Sequence, residues 1–145
     1  MKTIYLSIVA VLGLMFVACG SGEKMIQGKD LPAEAQQFIS TYFPGANVQL
    51  AQKEKEIDGT EYKVKLDNGF ALEFDGKGEW KQVNGTPQSV PASLVPATIT
   101  EYVSLNFPEQ TILVIEREKR GYEIIMLDNT ELKFDTKGTL TDWDD

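Results

Sequence analysis

Histidine is absent from all 145 residues, which removes the side chain that most often serves as general base or metal ligand near neutral pH. Cysteine occurs once, as Cys19, and Ser40, Ser89, Ser93 and Ser104 fall in helix-like or linker segments with no partner base. Carboxylate pairs remain. Asp75 with Glu79, and the tail Asp142, Asp144 and Asp145, could exchange a proton or bind a hard cation. Turn chemistry accounts for the first pair, whose counterpart of Glu79 later in the chain is Thr139, and solvation of the chain end accounts for the second. The residue types point to no enzyme, no cofactor and no metal site.

The elements that position these residues occur twice. Leu31 to Pro44, LPAEAQQFISTYFP, returns without a gap as Val95 to Pro108, VPATITEYVSLNFP, and each copy is followed by a charged stretch, a Tyr-led strand, Leu-Asp-Asn and Phe-Asp-x-Lys-Gly. Ala35, Phe38, Ile39 and Tyr42 stand at i, i+3, i+4 and i+7, so each repeat begins with a helix that lays aromatic side chains on a core. Pro32 opens that helix and Pro44 stops it, as Pro96 and Pro108 do in the second copy. Tyr62, Val64 and Leu66 alternate with Lys63, Lys65 and Asp67, and Phe70, Leu72 and Phe74 alternate with Ala71 and Glu73. This is an antiparallel meander with one wet face. Gly78 and Gly138 suit left-handed positions in three-residue hairpin loops. Matching Tyr62 to Tyr122 but Asp67 to Asp128 leaves one extra residue inside the second Tyr-led strand, which reads as a β-bulge.

The first 18 residues carry a short basic start at Lys2, an apolar run from Ile4 to Val17, and Phe16-Val17-Ala18 directly before Cys19. They resemble a bacterial lipoprotein signal. The resemblance implies cleavage before Cys19, lipidation of its sulfur and attachment to a membrane. Gly20 follows where an aspartate commonly retains such proteins at the inner membrane, so the outer membrane is favoured, on either side. A membrane span needs roughly 20 apolar residues, more than this run holds. Residues 19–29, glycine-rich and polar, read as a flexible tether. The repeats take residues 30–84 and 95–145, and the proline-containing stretch 85–94 reads as a packed linker. A unit of about 55 residues sits where cores are marginal, so the two repeats should fold together as a monomer. Taking Lys2 from the 14 basic residues leaves 13 against 22 acidic ones, a net charge of −9. Such a field excludes nucleic acid as a partner.

Pairing Phe74 with Trp80 across Gly78 places Trp80 in the core and Lys81 and Val83 outside. Pairing Phe134 with Leu140 across Gly138 points Trp143 outward beside Thr141. The run Ile124 to Leu127 is apolar throughout, so part of it must share the outer face. Trp143 with Ile124 or Met126 then forms an exposed apolar patch bordered by Glu123, Glu131 and Lys133, the expected anchor for a protein or peptide.

The phrases LDNGFALEFDGKGEW and LDNTELKFDTKG, with the Phe-Pro that ends each helix, resemble the PepSY-like repeat of bacterial exported proteins, whose fold is similar to the β-lactamase inhibitory protein. The resemblance implies an α+β fold in which two helix-plus-four-strand units join their sheets into one curved sheet with both helices on its convex side. It also implies a non-enzymatic binding module, the related inhibitor gripping its target with the opposite, concave face. PepSY domains are associated with restraint of peptidases, which extends the expectation to a peptidase-directed inhibitor. A small-ligand or calcium-binding sensor is the alternative.

Overall fold

The computed structural model describes residues 22–144, so the signal reading over 1–18 and the lipidation of Cys19 lie outside it. Two helices, α1 (Ala33–Tyr42) and α2 (Ala97–Asn106), accompany nine strands. These are β1 (Glu23–Ile26), β2 (Val48–Glu56), β3 (Gly59–Leu66), β4 (Ala71–Asp75), β5 (Trp80–Asn84), β6 (Ile112–Glu118), β7 (Gly121–Met126), β8 (Glu131–Asp135) and β9 (Leu140–Asp144). All nine form one antiparallel open sheet in chain order, with β2–β5 and β6–β9 as the two expected meanders. Strands β5 and β6 join them, Val83 lying opposite Ile115.

Both helices pack on the same core. Ala35, Phe38 and Ile39 of α1 and Ile99 and Val103 of α2 belong to one buried cluster with Val64, Leu72, Phe74, Ile115, Ile124 and Phe134. The Phe38 ring meets Phe74 edge-on at 5.5 Å, and Tyr102 meets Phe134 in the same way at 5.5 Å. Each helix closes on a Phe-Pro: the Phe43 N–H donates to Ile39 O at 2.8 Å and the Phe107 N–H to Val103 O at 2.7 Å, before proline forbids another turn.

The flexible-tether reading of 19–29 is corrected from residue 23 onward. Strand β1 pairs with β2, Met25 opposite Gln52 and Ile26 opposite Ala51, just as Gln82 and Val83 of β5 stand opposite Glu116 and Ile115 of β6. Thus β1 supplies repeat one with the flanking strand that β5 supplies to repeat two. Its sequence shows no strand pattern because backbone pairing to an otherwise open edge orders it, with only Ile26 packing against the core. The linker is stitched down as well: Gly85 N–H donates to Leu113 O at 2.8 Å and Val90 N–H to Ile112 O at 3.0 Å.

The bulge expected within the Tyr122 strand is also corrected. Leu66 N–H donates to Phe70 O and Met126 N–H to Thr130 O, while Gly69 and Asn129 hold the left-handed turn position at φ 93° and 70°. Asp67 therefore corresponds to Leu127, not Asp128, and β7 carries no insertion. The irregularity sits instead on the preceding strands, between Val48 and Leu50 and between Ile112 and Val114.

Both hairpin loops have the expected left-handed glycine, Gly78 at φ 89° and Gly138 at φ 80°. Asp75 Oδ1 accepts the N–H groups of Lys77 and Glu79, and Asp135 Oδ1 those of Lys137 and Thr139. These carboxylates hold turns, as expected for Asp75. A Cβ at Gly138 would overlap the Thr98 hydroxyl in the first turn of α2. With the positive φ added, Gly138→Ala should cost about 1–3 kcal/mol, read as a lowered urea midpoint at unchanged m-value.

Each hairpin also gains one residue after its turn, and this decides which side chains face which way. Phe74 pairs with Trp80, but Glu73 pairs with Gln82 and Leu72 with Val83, so Lys81 is the extra residue. Val83 is fully buried, against the expectation that it faces outward. In repeat two Phe134 pairs with Leu140, yet Leu132 pairs with Trp143. Trp143 therefore lies on the helix side, its ring edge-on to Phe107 at 6.1 Å. Where β6 covers Val83, no described strand lies beyond β9, and the larger ring shields the end of the core while staying 56% exposed.

Candidate functional site

The face without helices carries a transverse row of polar side chains in direct register: Gln52, Lys63, Glu73, Gln82, Glu116, Glu123, Lys133 and Asp142, one from each of β2 to β9. Residues two positions along, Glu54 and Glu61, extend it toward one end of the strands. The long side chains crowd one another. Gln52, Glu54 and Glu123 are buried although no other layer of the described residues covers them.

Ion pairs cross the strands along this row. Lys63 Nζ lies 2.8 Å from Glu54 Oε2, Lys81 Nζ 2.7 Å from Glu61 Oε2, and Lys133 Nζ 3.3 Å from Glu123 Oε2. Gln82 Nε2 donates a long bond of 3.4 Å to Glu116 Oε2. Glu73 sits between two lysines already engaged by other carboxylates, so burial, joined by the negative charge of Glu61 and exceeding the pull of Lys63 and Lys81, pushes its carboxyl up to about 7. Burial also raises Glu116, against the Gln82 hydrogen bond, and Glu123, against Lys133. For the Lys63 ammonium burial acts downward, but the Glu54 bond and the surrounding carboxylates hold it above its ordinary value. Such an arrangement is chemically a set of cation and anion receptors in a partly dehydrated strip.

The apolar patch expected from Trp143, Ile124 and Met126 does not form. Ile124 and Met126 are fully buried under α2 with the core, and Trp143 is on that same side. Strict alternation along β7 puts Glu123 and Ile125 on the open face instead, where Ile125 packs with Leu113 and Val114 in a small separate cluster. Of the residues expected at the site, Glu123, Glu131, Lys133 and Lys81 do face outward, Glu131 lying opposite Ile125 and Asp144. Sequence reasoning missed Glu73, Glu116, Gln82 and Gln52 as one row, since finding it requires stepping correctly across every bulge.

On the helix side a cleft of about 290 Å³ is lined by Phe38, Tyr42, Trp80, Glu79 and Arg117. Its own groups satisfy one another: the Arg117 guanidinium stacks 5.1 Å from the Trp80 ring and reaches Glu79 at 3.4 Å. Among the described residues no group of three or more Asp, Glu, His or Cys is placed to hold a metal ion.

The family described as "Putative beta-lactamase-inhibitor-like, PepSY-like" matches the chain twice, over residues 21–75 and 60–142. The chain belongs to the PepSY-like family. Among solved structures similar to this PepSY-like chain, a "putative periplasmic protein from DUF2874 family" of Bacteroides vulgatus is 39% identical with a TM-score of 0.81, covering 88% of this chain and 100% of that one. A "putative calcium-regulated periplasmic protein" of Bacteroides thetaiotaomicron is 42% identical, TM-score 0.81, covering 85% and 97%. A "putative periplasmic protein of unknown function" of Bacteroides vulgatus is 32% identical, TM-score 0.82, covering 86% and 100%. A comparison with curated proteins finds no match.

Proposed function

We propose that this PepSY-like chain is a non-enzymatic binding module of the cell envelope, anchored through lipid on Cys19, which holds a protein or peptide segment on the helix-free face of its sheet. A peptidase is the target class that family analogy suggests. The observation that carries the reading is the row of cross-paired charges, Glu54 and Glu123 buried among them, on a face that no described helix covers. Burial of ionic groups costs free energy that a purely structural surface has no reason to spend, and it preorganises polar groups for a partner. The periplasmic relatives support the compartment.

A photo-crosslinking residue at exposed Lys65, on the open face, should capture a defined envelope partner, and the same residue at exposed Leu105 of α2 should not. Capture only from position 105 would refute the reading. Cys19→Ser should move the protein from the membrane to the soluble fraction; retention in the membrane would remove the anchor from the proposal. Calcium regulation is the second reading, favoured by the relative described in those words.

A further inference from the structure

We infer that Glu116 and Glu123 form a subsite for a basic side chain, arginine or lysine, presented by the partner polypeptide. The inference rests on the proposed use of the open face and adds the chemistry of what it grips. The two glutamates stand directly opposite each other on β6 and β7. Glu123 is only 3% exposed, and its Oε1 has no hydrogen-bond partner among the described residues. Its other oxygen already takes Lys133, and Glu116 beside it, when ionised, can only accept. A buried carboxylate oxygen left without a donor is expensive, so the position calls for an N–H group from outside.

Repeat symmetry shows what is missing. Glu116 and Glu123 occupy in repeat two the places of Gln52 and Lys63 in repeat one, since Gln52 pairs with Lys63 as Glu116 pairs with Glu123. In repeat one the chain supplies its own cation, Lys63 bonding Glu54 at 2.8 Å. In repeat two Glu118 stands at the place of Glu54, but a carboxylate replaces the lysine. Lys133, at the place of Glu73, pairs with Glu123 instead, and Thr141 stands where repeat one has Lys81, so Glu116 and Glu118 have no ion-pair partner among the described residues. Two positions along the same strands, Val114 and Ile125 provide apolar neighbours suited to the methylene stem of lysine or arginine rather than to a hydrated metal ion. Opposite charge with an apolar border is the complement of a basic side chain in an extended segment.

The test is an NMR titration of the protein with acetyl-Gly-Ala-Arg-Ala-Gly-amide and with the same peptide carrying neutral citrulline. The arginine peptide should shift the amides of Gln82, Glu116, Glu123 and Lys133. The citrulline peptide should bind at least tenfold more weakly. Glu116→Gln, which keeps the Lys133–Glu123 pair, should weaken the arginine peptide at least tenfold with the fold intact. Glu101→Gln, exposed on α2 on the other side of the sheet, should leave it unchanged. Equal binding of both peptides to the open face would overturn the basic subsite while leaving the face itself as the contact surface. Calcium that saturates the same amides and excludes the arginine peptide would assign the carboxylates to a metal and also overturn it.

Discussion

Phe74→Ala should lower the unfolding free energy by about 3–5 kcal/mol, and both repeats should still unfold in a single transition. Phe74 is fully buried at the centre of repeat one, with the Phe38 ring edge-on against it. Its removal costs transfer free energy and leaves a cavity that a β-strand flanked on both sides cannot collapse to fill. The shared transition follows from the continuous core and the β5–β6 junction, which expose apolar surface of one repeat if the other melts. The two tryptophans report separately, Trp80 from repeat one and Trp143 from repeat two. Single-tryptophan variants followed through urea denaturation should give coincident midpoints, all shifted by Phe74→Ala. Separate midpoints would show the repeats to be independent domains.

Glu73→Gln should stabilise the protein at neutral pH by about 1–3 kcal/mol and flatten its stability between pH 4.5 and 7. The folded carboxyl, raised to about 7 chiefly by burial and then by Glu61, holds its proton more tightly than the unfolded chain does. Its favourable contribution is therefore complete below the unfolded value near 4.5 and is lost as pH rises through about 7. Full conversion of the shift would give slightly over 3 kcal/mol, and partial solvent screening reduces it. Glu116 and Glu123, raised in the same direction, reinforce the trend, so the wild-type chain should melt at a higher temperature at pH 5 than at pH 8. Glutamine keeps the shape and removes the ionisation. Unchanged melting between pH 5 and pH 8 in wild type would contradict the crowding described for this row.

Much of the fold is legible in the residues themselves. The duplicated Phe-Pro helices, the alternating Tyr62 and Phe70 strands and the left-handed glycines all appear in the structure because each is a local rule: a stripe, a pleat, a turn. What escapes a reading by residue type is anything that depends on register. One bulge residue at Lys81 sends Val83 inward, and its counterpart sends Trp143 to the helix side, so an exposed patch inferred by simple alternation dissolves. In the same way the apparent insertion before Asp128 vanishes once the backbone turn aligns Leu127 with Asp67. Strand β1 was invisible for a different reason, since pairing to the edge of β2 orders a segment whose own composition favours no strand. The charged row required all of these registers together. Its members were individually visible as wet-face residues, whereas their alignment was not.

Chemical-shift mapping of the partner captured through Lys65 tests the central claim most directly. Perturbations confined to the open face, led by Lys63, Gln82, Glu116, Glu123 and Lys133, are the predicted result. A footprint on α1 and α2, or only along the edges of β1 and β9, would contradict the account.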